Sequence, residues 1–408
     1  MQAITQETKL SPWKILLLGI QHVFAMFGAT VLVPALTGLD PAVALFTAGI
    51  GTFLFHFVTK HKVPVFLGSS FAFISAIAYV VKTQGIAYAG GGIIVAGALY
   101  LVLSGLILIF GVDRIKSFFP PLVTGPMIMV IGLTLSPGVI AGNIVDVDMG
   151  TIGQRWVVVL AVVVTMVLIS IFVKGFFKLV PILMGIIVGY IVSMLFKFVD
   201  FTAIIEAPLF ALPAFTLPKF DITAISLIAP IAIVTFMEHI GDITTSGAVV
   251  GKDFFKEPGL HRTLIGDGLA TSLAGFLGGP ANTTYSENTG VLAVTKVYNP
   301  VILKIAAAFA IALSLIGKLG AVLRTIPAPV MGGVSILLFG MIASIGLRTL
   351  AEAKIDFTQS RNLIIISLML VMGLSGAEFN IVPGIVLSGM SLAAIIGIIL
   401  NKVLPENI

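Results

Sequence analysis

Three carboxylates lie inside long apolar stretches of this chain, where a lipid bilayer is the expected solvent. Glu238 and Asp242 occur in IVTFMEHIGDITTSGAVV, and Glu287 occurs in NTTYSENTGVLAVTKV. An acidic side chain at the centre of a spanning helix is unfavourable by roughly 2.5 to 3.5 kcal/mol, so such residues usually face a cavity on the path of an ion, a proton or a substrate. We therefore expect the chemistry of the chain at these positions.

Spacing places two of these acids together. Glu238 and Asp242 are four residues apart and share one helical face, which Thr245 extends. Two nearby carboxylates in a medium of low dielectric constant cannot both ionise easily, so one of them is expected to load and release a proton. The alternative is a hydrogen-bonded pair with a structural role. Asp267, between two glycines in RTLIGDGLATS, is expected to be a structural polar contact.

Two apolar segments are interrupted and do not read as continuous helices. In the third segment Pro64 precedes the run Leu67–Ser70, and in the tenth Gly278-Gly279-Pro280 precedes NTTYS at 282–286. Broken segments at matching positions of two halves point to a transporter's binding site, because freed backbone groups must line a cavity or be buried in protein. Each is expected to begin extended and continue as a half-helix whose first N–H groups point at the bilayer midplane. A kinked helix is the alternative.

Other polar residues accompany these segments. Glu287 would begin the second half-helix, where its negative charge suits the helix N-terminus, and a purely helix-stabilising role is the alternative. Ser70 and Thr284 lie within the interrupted runs and are expected to support the site. Gln21-His22 in the first segment is expected to orient it, with a simply satisfied histidine as the alternative.

Composition indicates what surrounds these residues. Hydrophobic residues make up 58% and charged residues 10% of 408, against roughly 45–50% and 25% in soluble proteins, which predicts an all-α polytopic membrane protein. The polar N-terminus is followed by a long apolar segment without a small-residue cleavage site, so the first helix is not expected to be a cleaved signal. The absence of cysteine excludes disulfides and cysteine nucleophiles. No cofactor, metal or nucleic-acid partner is expected.

Fourteen spans are predicted, although hydropathy alone could return twelve because the third and tenth are irregular. They fall near 13–35, 41–59, 64–81, 91–111, 115–136, 156–174, 178–198, 224–250, 262–279, 282–296, 300–318, 324–346, 362–377 and 382–402. With the N-terminus inside, 17 of the 23 Lys and Arg residues fall on the inner side, which predicts that both termini are cytoplasmic. The long loops near 137–155 and 199–223 would then lie outside.

The chain also repeats itself weakly. AMFGAT from Ala25 aligns with EHIGDI at an offset of 213, GSSFAF from Gly68 aligns with NTTYSE at 214, and FPPLVTGP from Phe119 aligns with IPAPVMGG at 207. Two halves of seven spans each must have opposite orientations, which is the inverted repeat common in secondary transporters. Chance similarity among apolar segments is the alternative for any single match.

The combination of carboxylate acceptors with half-helix N–H donors suits a planar, neutral ligand that carries adjacent N–H and C=O groups. A nucleobase fits this description. A simple anion does not, because Glu238 and Glu287 would repel it and no intramembrane Arg or Lys is available, which argues against an anion exchanger on the same fold.

Two further classes of protein are disfavoured. An intramembrane aspartyl protease using Asp242 and Asp267 would need Gly two residues before one Asp, but Ile240 and Ile265 occupy those places. A channel-like or structural protein would not need paired broken segments. We therefore expect a transporter and no enzymatic activity.

Several stretches carry a family resemblance that covers nearly the whole chain. At these residues the chain resembles the nucleobase–ascorbate transporter family, and most closely its bacterial uracil:proton symporters. The stretches are QHVFAMFGATVLVP from Gln21, LGSSFAFIS from Leu67, EHIGD from Glu238, PGLHR from Pro258, NTTYSENTGVLAVTK from Asn282 and PVMGGVSILLFG from Pro329. The family's signature in the tenth span is matched by Glu287, Asn288, Gly290, Thr295 and Lys296.

The resemblance implies a division into two domains. A core domain would comprise spans 1–4 and 8–11, at residues 1–112 and 223–318, and hold the base. A gate domain would comprise spans 5–7 and 12–14, at residues 113–205 and 319–408, and rock against the core. The resemblance also implies a location in the bacterial cytoplasmic membrane and a homodimer.

The resemblance also implies roles for individual residues. Glu238 and Glu287 would accept the N–H groups of the base, and the backbone N–H groups of Phe71 and Ser286 would donate to its carbonyls. Proton coupling would run through Glu238 and Asp242. The pocket would be shaped by Ala29, Tyr285 and Asn288.

Two positions imply different substrates. Family members that carry uracil have His at the position of Asp242, whereas Asp is common in the purine-carrying branches. Purine carriers, in turn, usually have Gln at the position of Glu287. Glu287 and the LGSSFAFIS stretch are given more weight here, so uracil is the first expectation, and xanthine, urate or another purine is the second.

Overall fold

A computed structural model describes residues 11–382 and 385–405. The α-helices of this part of the chain are α1 (Pro12–Thr37), α2 (Pro41–Val58), α3 (Ile74–Thr83), α4 (Ile86–Phe110), α5 (Val112–Lys116), α6 (Pro121–Ile140), α7 (Ile152–Phe172), α8 (Pro181–Leu195), α9 (Thr202–Glu206), α10 (Ile222–Ile228), α11 (Ile231–Val250), α12 (Leu260–Phe276), α13 (Ser286–Thr295), α14 (Pro300–Ser314), α15 (Gly317–Arg324), α16 (Ala328–Glu352), α17 (Ser360–Leu374) and α18 (Gly389–Val403). The strands are β1 (Leu67–Ser69), β2 (Asn282–Thr284), β3 (Glu378–Val382) and β4 (Ile385–Ser388).

Many of these helices are long and apolar enough to cross a membrane. Within the described ranges, seven such stretches are Pro12–Thr37, Pro41–Val58, Ile86–Phe110, Pro121–Val145, Ile152–Phe172, Ile222–Val250 and Ala328–Glu352, and α3, α8, α14, α17 and α18 are shorter apolar helices. The prediction of a mostly helical, multi-pass membrane protein is confirmed. The fourteen spans, the inverted repeat and the core and gate domains stay predictions.

Helix boundaries follow from local sequence signals. α2 begins where Asp40 accepts a hydrogen bond from the Ala42 N–H (2.7 Å) and Pro41 occupies the first helical position. α1 ends at Gly38, whose φ of 79° is the left-handed conformation that glycine adopts without a steric penalty. The chain therefore turns sharply between its first two spans.

The two interrupted segments meet as paired strands. β1 and β2 are antiparallel, with Leu67 opposite Thr284 and Ser69 opposite Asn282. α3 follows β1, and α13 follows β2. The prediction that each segment begins extended and continues as a half-helix is confirmed.

Neighbouring helices hold the two strands in the same way. Thr52 on α2 accepts from the Leu67 N–H (2.9 Å) and donates to the Leu67 carbonyl (3.4 Å). Thr271 on α12 accepts from the Asn282 N–H (3.2 Å) and donates to the Asn282 carbonyl (2.9 Å). These hydroxyls pair with backbone N–H and C=O groups at the outer edges of the strands, and such groups must find partners within the protein when they lie inside a bilayer.

Glycines bring α12 close to α4. A Cβ on Gly97 would lie 2.2 Å from Ser272 Oγ and 2.5 Å from the Gly268 carbonyl, and a Cβ on Gly90 would lie 2.6 Å from the Gly275 carbonyl. Small residues let helix backbones approach closely, which is a main source of helix association in a bilayer. This packing fixes the position of α12 and, through Thr271, of β2.

The predicted segment 382–402 was wrong at its start. β3 and β4 pair as antiparallel strands, with Phe379 opposite Leu387, and α18 begins only at Gly389. Apolar, β-branched residues suit a strand and a spanning helix alike, so hydropathy could not separate them. The predicted segment 224–250 is also divided, into α10 and α11, at Ala229-Pro230.

Candidate functional site

The acid-bearing face of α11 lies against the start of α13. Glu238 and Asp242 are both half-buried, and the Ser286 hydroxyl donates to Asp242 Oδ1 (2.5 Å). Glu238 Oε2 is buried, with no hydrogen-bond partner in the described part of the chain. The two acids of the pair therefore differ, because one has a partner and the other has an open acceptor. Thr245, at the end of this face, is exposed and bonds only the Gly241 carbonyl.

Free N–H groups lie where the paired strands end. The Ser70 N–H donates to the Ala281 carbonyl (2.8 Å) and the Tyr285 N–H donates to the Phe66 carbonyl (2.9 Å). Phe71 directly follows Ser70, and Ser286 directly follows Tyr285. Ser286 is the first residue of α13, and the first N–H groups of a helix have no partner within it. Phe71 N–H donates no bond within residues 11–382 and 385–405.

The half-buried Glu287 is the second residue of α13 and completes the acid cluster. Its charge acts on both Glu238 and Asp242. Three carboxylates from two elements thus share one region at the end of a two-stranded sheet. In a low-dielectric setting their mutual repulsion favours a bound proton or a ligand that donates hydrogen bonds.

Tyr285 and Ala29 lie behind the strands. The Tyr285 hydroxyl donates to the Ser69 carbonyl (3.0 Å), and a Cβ on Gly68 would lie 2.3 Å from the Tyr285 ring. Both Tyr285 and Ala29 are buried in the same apolar cluster as Phe71. Tyr285 therefore contacts β1 at Gly68 and Ser69, shortly before Phe71. Ser70 Oγ is also buried and has no partner in the described residues.

His22 and Asn288 connect α1 to α13. The Asn288 side-chain amide donates to His22 Nδ1 and to the His22 carbonyl, both at 3.0 Å. Both residues are buried, and Asn288 Oδ1 and Gln21 Oε1 are left without partners in the described residues. His22 thus contacts the half-helix within its first turn.

A second buried network was not predicted. His239 Nδ1 lies 2.8 Å from Asp267 Oδ2, and His239 Nε2 lies 2.9 Å from Thr263 Oγ1. The Thr284 hydroxyl donates to Asp267 at 3.4 Å. The network joins α11, α12 and β2, which agrees with the expected structural role of Asp267. The one sequence signal for His239 is its position directly after Glu238 in EHIGD.

We expect Asp267→Ala to destabilise the protein by about 1–3 kcal/mol, because the buried imidazole of His239 would lose its hydrogen-bond partner. Asp267→Asn keeps an acceptor for the imidazole N–H and should cost less. Thermal unfolding of the purified protein in one detergent measures both effects, with the exposed Glu206→Gln as the control. Equal unfolding of Asp267→Ala and the wild type would show that the network does not stabilise the fold.

An aromatic side chain from α16 faces the site and was also missed. The rings of Phe339 and Phe71 are 6.5 Å apart between centroids and meet edge to face. Phe339 lies in PVMGGVSILLFG, a stretch already noted for its family resemblance, but the residue itself was not selected. The two rings pack together in the buried apolar cluster that also contains Ala29 and Tyr285.

Exposure indicates how the site is reached. Ser286, Gly241 and Thr244 are exposed, whereas the residues that precede Glu238 on α11 are mostly buried. The exposed surface beside the site therefore lies along the C-terminal half of α11 and at the first residue of α13. A separate cavity of about 100 Å³ lies toward the opposite end of α11, between α3 and the paired strands β3 and β4, lined in part by Tyr79, Thr134 and Met390. Within the described residues, no group of three or more His, Asp or Glu side chains is arranged to hold a metal ion.

The fold, with its broken helices around an acid cluster, is that of a membrane transporter. The solved transmembrane domain of a cyanobacterium bicarbonate transporter, BicA, has a similar fold, with a TM-score of 0.66 at 16% identity, covering 97% of this chain and all of that one. The Permease family matches residues 13–382, and the chain belongs to this family.

Two similar permeases agree with this assignment. The chain is 47% identical over 388 residues to a probable uracil permease of Haemophilus influenzae, covering 95% of this chain and 94% of the relative. It is 44% identical over 407 residues to a uracil permease of Bacillus subtilis, covering 97% and 94%. The family resemblance inferred from the motifs is confirmed.

Proposed function

We propose that this protein takes up uracil together with protons across the bacterial cytoplasmic membrane. The observation that carries the proposal is the arrangement of Glu238 and Glu287 beside the free N–H groups of Phe71 and Ser286. The names of the similar permeases support uracil as the base.

In the proposed complex the base lies at the ends of β1 and β2. Its N–H groups donate to Glu238 and Glu287, and its carbonyls accept from Phe71 and Ser286. Hydrogen bonds to charged groups contribute about 1.5–3 kcal/mol each, and an unpaired buried group costs about 1–3 kcal/mol. A molecule without this alternation of donors and acceptors would leave some of these groups unpaired. Phe339, which packs edge to face on Phe71, would support the Phe71 backbone from behind.

In the proposed coupling, Glu238 carries the proton and Asp242 positions the site. Glu238 Oε2 is buried without a partner, whereas Asp242 is engaged by the Ser286 hydroxyl. Loading a proton on Glu238 would relieve the repulsion from Glu287 and leave a carbonyl oxygen to accept from the base. Substrate and proton would then stabilise the same state, which is what symport requires.

Alternating access would follow the predicted core and gate domains. The antiparallel pairing of β1 and β2 supports two halves of opposite orientation. The exposed C-terminal half of α11, whose end is on the predicted cytoplasmic side, suits an inward-facing state. The predicted homodimer and cytoplasmic termini belong to the same proposal, and residues 1–10 and 406–408 lie outside the described residues.

A purine is the second candidate substrate, and Asp242 is the observation that favours it. An anion is disfavoured although the fold is shared with a bicarbonate transporter, because three carboxylates line the site.

Uptake of radiolabelled uracil into proteoliposomes tests the proposal. With an imposed inward proton gradient we expect uracil accumulation that excess xanthine and uric acid do not inhibit, because a site fitted to uracil would have no room for the second fused ring of a purine. Collapse of the gradient with a protonophore should remove the accumulation. Strong inhibition by purines, or no movement of uracil, would assign the chain to the purine carriers.

A further inference from the structure

The segment between α9 and α10 is built unlike a water-exposed loop. Residues 207–221, here called the strap, have the sequence APLFALPAFTLPKFD and form no helix of their own. This segment belongs to the loop near 199–223 that was predicted to lie outside the membrane. Its only charged residues are Lys219 and Asp221, both at its end.

Backbone hydrogen bonds tie the strap to three helix ends. The Ala211 N–H donates to the Leu315 carbonyl after α14 (3.0 Å), and the Gly317 N–H donates to the Leu209 carbonyl (2.9 Å). The Thr216 N–H donates to the Leu277 carbonyl after α12 (3.1 Å).

The last tie reaches α4, where the Lys219 N–H donates to the Ala87 carbonyl (2.8 Å). The fit is close, since a Cβ on Gly91 would lie 2.1 Å from the Lys219 carbonyl. The strap is therefore held in place and extended along the ends of α14, α12 and α4.

Its apolar side chains nevertheless point away from the protein. The exposed fractions are 58% for Leu209, 72% for Phe210, 80% for Leu212, 41% for Phe215, 71% for Leu217 and 59% for Phe220. Burying one such side chain stabilises by about 1.5–3 kcal/mol, so a rigid segment that exposes six of them to water would be strongly unfavourable. Contiguous apolar surface of this kind marks contact with a membrane or a partner.

Two observations indicate that a bilayer covers this surface. It continues onto α12 through Phe276, which is 49% exposed and adjacent to Leu277, the residue that bonds Thr216. Prolines at positions 208, 213 and 218 remove three N–H groups that hydrocarbon could not satisfy, and several of the remaining groups are bonded to the helix ends.

We propose that the strap lies within the bilayer, with its leucine and phenylalanine side chains among the lipid acyl chains. The partner is the membrane itself rather than a second protein. Because the strap is bonded to α4, α12 and α14, it anchors these helices to one leaflet. The inference does not depend on the identity of the transported base.

Tryptophan fluorescence with lipid-borne quenchers tests this placement. In a background with Trp13→Phe and Trp156→Phe, Leu212→Trp and Leu217→Trp report on the strap, each at an exposed position where a larger side chain meets no neighbour. Leu160→Trp on the exposed face of α7 is the matched lipid-facing control, and Asp148→Trp in the loop before α7 is the matched aqueous control.

We expect brominated lipids to quench Trp at positions 212 and 217 as strongly as at 160, and several-fold more strongly than at 148. Aqueous iodide should give the reverse order. If iodide quenches the strap positions as it does position 148, the strap lies in water and the proposal is wrong. Shielding from both quenchers would place a protein surface over the strap and would also overturn it.

Discussion

Glu238→Gln is expected to abolish proton-driven accumulation of uracil while leaving exchange of internal for external uracil intact. Glutamine keeps a side-chain carbonyl that can accept from the base, as a protonated glutamate would, but it cannot release a proton. Net symport requires an empty, deprotonated return step, whereas exchange does not. The open acceptor at Glu238 Oε2 is the structural basis of this expectation.

The size of the effect follows from the imposed gradient. Each unit of pH difference contributes about 1.36 kcal/mol per proton, so two units and one proton per base allow about 100-fold accumulation of uracil in the wild type. The variant should reach only equal concentrations on both sides. Time courses of labelled uracil uptake, with and without unlabelled uracil inside the vesicles, separate accumulation from exchange.

Two companion variants make the result specific. Glu206→Gln removes an exposed acid in α9 and should accumulate uracil as the wild type does. Asp242→Asn keeps an acceptor for the Ser286 hydroxyl and should retain proton-driven accumulation. Accumulation that survives in Glu238→Gln but is lost in Asp242→Asn would reverse the roles proposed for the two acids.

Local sequence signals predicted the elements around the candidate site. The four-residue spacing of Glu238 and Asp242 predicted a shared helical face. Pro64 with Gly68, and Pro280 with the two glycines before it, predicted two broken segments. These features depend on residues close in the chain. Backbone rules for helix interruption therefore apply to them without knowledge of the tertiary fold.

Contacts between distant residues were beyond the sequence. The pairing of His239 with Asp267 joins two successive α-helices, and the approach of Phe339 to Phe71 joins elements from opposite halves of the chain. The periodicity of a helix does not show which residues of other elements it contacts. The sequence around Asp267 therefore could not identify His239 as its partner. The strap was missed for a related reason. In the sequence, an apolar segment between Glu206 and Lys219 resembles a loop, and only the exposure of its side chains in the fold distinguishes it.

Glu287→Gln is expected to weaken uracil binding about 10- to 100-fold. A carboxylate that accepts an N–H group contributes about 1.5–3 kcal/mol, and a tenfold change in affinity corresponds to about 1.4 kcal/mol. Glutamine still offers one acceptor oxygen, but it lacks the charge and presents an amide donor toward the base. Binding of labelled uracil to the purified protein measures the loss, and Glu352→Gln on the exposed end of α16 serves as control.

The same variant tests whether Glu287 or Asp242 selects the transported base. If the carboxylate at position 287 selects uracil, its replacement by an amide should lower the affinity for uracil. The affinity for xanthine should not rise. Competition by xanthine should then rise relative to uracil, because uracil loses the charged acceptor on which its binding is proposed to depend. Unchanged uracil affinity in Glu287→Gln would remove this carboxylate from the site, and the acid face of α11 would have to select the base alone.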